Sequence, residues 1–68
     1  RMSMAEFIGK SNNGNFDEAL EDAIKKALAG LQTEAIDWKL LETYGNRGGF
    51  LQLNDLYVKI EAEQPQKG

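Results

Sequence analysis

At 68 residues, with no cysteine and no histidine, the chain is one small domain at most, without disulfides, thiolate metal sites or the usual general base near neutral pH. Its 8 basic and 11 acidic residues leave a net charge of −3 and a pI near 4.8, and no basic face that a nucleic acid would need is visible. No apolar run approaches the roughly 20 residues of a membrane span, and Arg1–Met4 lacks the apolar stretch of a secretory signal.

A cytoplasmic, single-domain protein spanning residues 1–68 is therefore expected. Residues 1–4 read as an unstructured start, with Arg1 foreign to it, and 64–68 as a frayed tail. A domain this short buries only about 60% of its unfolded surface. Small scaffolds compensate with disulfides, a structural metal or a partner subunit. With the first excluded and the usual metal ligands missing, a homo-oligomer is expected.

Ala5 to Gly9 reads as a short strand entering a polar loop, Lys10 to Gly14. Gly9-Lys10-Ser11 copies the end of a phosphate-binding loop, but Met4 stands where that motif needs a glycine five positions before Gly9. An ordinary strand exit is the better reading. Phe16, Ala19, Leu20, Ala23, Ile24, Ala27, Leu28 and Leu31 form an apolar stripe at helical spacing. This predicts a helix from Phe16 to Ala29, ended by Gly30, with Leu20 and Ile24 in the core. Asn15 and Glu18 form a capping box worth about 1 kcal/mol, and Glu21–Lys25 and Asp22–Lys26 are i,i+4 pairs.

Ile36 to Tyr44 carries β-forming residues, with Ile36, Trp38, Leu40 and Tyr44 on one face. Gly45-Asn46-Arg47-Gly48-Gly49 reads as a turn on its three glycines. Its backbone amides beside Arg47 are a possible phosphate cradle, though a plain turn suffices. Phe50 to Glu63 is a second extended region. Its alternation slips phase between Leu51/Leu53 and Leu56/Val58/Ile60. Either a bulge near Asn54 kinks one long strand, or Asn54-Asp55 is a hairpin turn. The order strand, helix, strand, strand predicts an α+β fold, an antiparallel sheet packed on one helix. The opposite sheet face must then meet water or another subunit.

Trp38 is the one tryptophan, a core or interface residue or else a stacking platform for a planar ligand. Asp55, Glu61 and Glu63 lack the spacing of a calcium loop. Ser3 and Ser11 have only carboxylate or lysine as a base, so the chain does not read as an enzyme.

Several of these segments resemble dodecins, small βαββ proteins that form hollow dodecamers. Phe7-Ile8-Gly9-Lys10-Ser11 is similar to their first-strand ending, an apolar pair followed by Gly-Thr-Ser. Phe16-Asp17-Glu18-Ala19 resembles their helix start, Ile36-Asp37-Trp38 their second strand, and Gly49 to Lys59 their third. The similarity spans Phe7 to Ala62. It implies a dodecin-like βαββ homo-oligomer that stores a planar small molecule, flavin in many dodecins, without catalysis. Trp38 matches their stacking tryptophan. Asp55 occupies the position of their ligand-binding glutamine, and Gln52 lies nearby with the opposite parity. The resemblance favours one long, bulged strand over a turn at Asn54-Asp55. The alternative function is a self-assembling or protein-interaction module with no small ligand.

Overall fold

The computed structural model describes residues 4–65 and has the order β1 (Ala5–Ser11), α1 (Phe16–Leu31), β2 (Asp37–Gly48), β3 (Leu53–Glu63). The strands form one antiparallel sheet in the order β1-β3-β2, with β3 in the centre. This is the expected α+β, βαββ fold, with one helix on one sheet face.

The helix lies across β1 and β3 and does not reach β2. Alanines make this contact close. Ala19, Ala23 and Ala27 are fully buried against Val58, Ile60 and Ala62. Opposite them, Gly9 lies so near the helix that a Cβ there would collide with the Ala19 carbonyl and the Ala23 backbone. The expectation for the core is corrected here. Leu20 and Ile24 are only partly buried, on the flank of the helix, because residues four apart beginning at Ala19 point straight at the sheet.

The helix ends are also partly revised. Asn15 caps the start as expected, its Oδ1 accepting from the Glu18 N–H at 2.9 Å. The reciprocal half of the box is absent. The Asn15 N–H instead donates to Ser11 Oγ at 3.1 Å, while Ser11 Oγ donates to the Glu18 carboxylate. Gly30 stays inside the last turn, where a Cβ would approach the Phe7 ring to 2.8 Å. The helix ends instead at Gln32, in the left-handed conformation (φ 53°, ψ 52°). Gln64, expected in a frayed tail, donates from Nε2 to the Leu31 carbonyl at 3.0 Å. The expectations for residues 1–3 and 66–68 lie outside the described residues.

The hairpin differs most from the sequence reading. Gly45 to Gly48 belong to β2, and the turn is Gly49 to Gln52, closed by the Gln52 N–H donating to the Gly49 carbonyl at 3.1 Å. Gly48, Gly49 and Gln52 supply its positive φ angles. Gly45 is a glycine for another reason: a Cβ there would strike the Asp55 carbonyl across the ladder. Asn54-Asp55 is neither turn nor bulge, since Arg47↔Asn54 and Asn46↔Asp55 are regular pairs. Asn54 shares the helix-side face and packs against Gly14, where a Cβ would lie 2.5 Å from its Oδ1. The long strand is real, but the register shift falls in β2, between Leu40 and Glu42.

That bulge at Leu41 reassigns the β2 faces. Trp38 and Leu40 pair with Ala62 and Ile60 and share the helix-side face, whereas Tyr44 pairs with Tyr57 on the open face. The apolar set read as one stripe is therefore split between two faces.

Candidate functional site

Trp38 stands on the helix-side face of a strand the helix leaves bare, and is 43% exposed. At the same end of the sheet a hollow of about 260 Å³ is lined by Met4, Asp37, Lys39, Glu61 and Glu63 as well as Trp38, but Lys39 pairs with Glu61 and Asp37 with Glu63 on the opposite, open face. Pockets that enclose a drug-sized ligand run to about 300–1,000 Å³ and are mostly apolar. This one is smaller, open, and flanked by three carboxylates to one ammonium. This hollow therefore does not enclose a ligand, and its charged lining belongs to the face opposite the one Trp38 shares with Ala62.

The other two sequence-predicted site residues are distant. Asp55 pairs with Asn46, toward the hairpin tip, and Gln52 is in the turn. Trp38 pairs with Ala62, seven positions along β3 from Asp55, a separation of about 23 Å at strand rise. No side chain bridges that distance, so Trp38 is not brought to Asp55 or Gln52 within one chain. A second open hollow, about 220 Å³, lies around Arg47, Asn46, Asn54 and Asp55.

A larger hollow, about 710 Å³, lies between the β1 exit and the helix and is lined by Lys10, Lys25, Lys26, Glu18, Glu21 and Asp22. Its groups already have work. The Asp22 carboxylate accepts from the Lys10 N–H at 2.9 Å and from Lys26 Nζ at 3.1 Å. The backbone hydrogen bond first, and Lys26 second, hold Asp22 below its ordinary pKa. Lys26 also donates to the Ile8 carbonyl at 3.1 Å.

Ser11, 1% exposed, holds its hydroxyl against the Glu18 carboxylate. Its oxygen accepts from the N–H groups of Asn13 and Asn15 and donates to Glu18, so it orders the loop. Gly9-Lys10-Ser11 is thus a strand end packed under a helix. Among the described residues no three carboxylates gather closely enough to hold a metal ion, and no helix is long and apolar enough to cross a membrane.

The open sheet face carries a feature that sequence reasoning missed. Tyr44 and Tyr57 stack at 5.1 Å between ring centroids and 14° between planes, and Lys10 Nζ lies 5.6 Å from the Tyr57 ring. One row along, Lys59 reaches Glu6 at 3.3 Å and Glu42 at 3.9 Å. The signal for this face was the β2–β3 register, which depends on locating the bulge.

No protein family, curated protein or solved structure matches the chain.

Proposed function

We propose that the chain is a non-enzymatic, self-assembling ligand-binding protein in which Trp38 stacks on a planar small molecule inside a cavity that several copies complete. The carrying observation is the exposure of Trp38 on the helix-side face of a strand the helix does not cover. The resemblance to dodecins suggests a flavin as the ligand class, with Asp55 and Gln52 of another copy placed near the ring that Trp38 holds. The absence of histidine and cysteine and the engagement of Ser11 by its own loop support a role without catalysis. The cytoplasm is the setting this reading assumes.

A structural module without a small ligand is the second reading. It is favoured by Asp37, Glu61 and Glu63 around the hollow, which repel a phosphorylated ligand. Titrating riboflavin and its phosphate while following indole and ligand fluorescence separates the two. Saturable submicromolar quenching, abolished by Trp38→Ala with the assembly intact, is the expected result. A flat titration with an intact assembly establishes the structural module instead.

A further inference from the structure

We propose that the outer edge of β2 pairs antiparallel with the same edge of a second copy about a two-fold axis, giving one six-stranded sheet with both helices on one face. This rests on the self-assembly reading and names the surface that carries it.

A three-stranded sheet has two edges, and this one treats them oppositely. At the β1 edge, Asp22 takes the Lys10 N–H and Lys26 takes the Ile8 carbonyl, and the two side chains also pair with each other. Helix side chains thus close two backbone groups of that edge, the Lys10 N–H and the Ile8 carbonyl. The β2 edge has nothing comparable. All twelve of its residues are exposed, and among the described residues no side chain hydrogen-bonds to its backbone. Twelve residues is about twice the usual strand length, and proteins rarely leave so long an edge bare.

Charge favours a second copy as the occupant. The bulge at Leu41 puts Lys39 and Glu42, three positions apart, on the same open face, where they pair with Glu61 and Lys59 of β3. Antiparallel self-pairing centred between Leu40 and Leu41 sets Lys39 against Glu42 of the second copy, twice by symmetry. The row across the joined sheet then reads Glu61, Lys39, Glu42, Lys59, alternating in sign through the junction. The same register sets Trp38 against Thr43, which also keeps the helix-side faces matched. Trp38 and Leu40 become the floor of a trough between two helices, whose flanks carry the half-buried Leu20 and Ile24.

Light scattering on wild type, Lys39→Glu, Glu42→Lys and the double variant tests this. Each single reversal opposes like charges twice and is expected to weaken dimerisation about ten-fold or more. The double variant restores opposite charges across the junction, although each reversed residue then faces a like charge of its own β3, Glu61 or Lys59, and is expected to recover most of the dimerisation lost by the singles. Singles that assemble like wild type, or a double no better than the singles, overturn the β2 junction and leave self-assembly through another surface. A wild type that stays monomeric overturns both readings. Should a reversal unfold the chain, single cysteines decide, because the protein has none of its own. Leu41→Cys, beside the axis, is expected to oxidise to a linked dimer, and Ile8→Cys on β1 is not. No linkage at position 41, or equal linkage at both, refutes the junction.

Discussion

Gly9 shows how one missing methyl sets the spacing of two layers. The helix meets the sheet through Ala19 and Ala23, and their backbone occupies the space a Gly9 side chain would need. Gly9→Ala forces the helix off β1 and is expected to cost about 3 kcal/mol or more, the upper range for overpacking. Gly48→Ala is the control, since its φ of 94° is strained but nothing lies within 4 Å. A left-handed residue costs about 1–2 kcal/mol. Denaturant melts of the two variants should rank Gly9→Ala clearly worse, and equal losses would mean that helix and sheet are farther apart than described. Trp38 is the other residue that dominates its surroundings. A buried indole would have joined the core, whereas here it enlarges an apolar strip on an uncovered strand.

At the level of elements, the helix was legible because its stripe, cap and charges agree. The helix begins at Phe16 as the sequence reading has it, but runs two residues past Ala29 to Leu31 and is closed by Gln32 instead of Gly30. The hairpin was less legible because glycine has two uses that look alike in a sequence. Gly48 and Gly49 supply positive φ, while Gly45 permits close backbone approach within a strand. The phase slip read between Leu51/Leu53 and Leu56 is not a bulge, because Leu51 lies in the turn and Leu53 on the open face of a regular β3. The register shift is elsewhere, in β2 between Leu40 and Glu42, opposite Ile60 and Lys59. Register also decides the candidate site: Trp38 stood out by its chemistry, but its distance from Asp55 follows from pairing alone.

The cap on the β1 edge was invisible before the strand order was known, and it carries a pH signature. Asp22 is held below its ordinary value of 3.8, chiefly by the Lys10 backbone N–H. A carboxyl depressed by folding contributes stability that is fully present above its unfolded pKa and is lost as pH falls through its folded one. Asp22→Asn should therefore flatten the fall in melting temperature below about pH 4 while changing the slope near neutrality little. An unchanged acid limb would show that Asp22 does not hold the edge in solution.

At the scale of the molecule the core is thin. The buried apolar set is Ala19, Ala23, Ala27, Val58, Ile60 and Ala62, so four of its six members are alanine. Large apolar side chains lie outside it, among them Phe50, fully exposed, and Leu51, 77% exposed, at the hairpin tip. The described residues extend 50 × 18 × 15 Å with a radius of gyration of 13.6 Å, against about 11 Å for a compact chain of this length. Such a shape keeps the tip and the Trp38 strip from covering one another within one chain. On the self-assembly proposed above, burial between chains contributes stability that the monomer lacks, and anything that binds only the folded state makes melting depend on concentration. Raising the protein concentration a hundred-fold is expected to raise the melting temperature by several degrees, since about 1 kcal/mol moves a domain of this size by 4–8 °C. Differential scanning calorimetry over that range measures it directly. A melting temperature that does not move would mean that the small alanine core is sufficient by itself, and that contacts between copies add nothing to the fold.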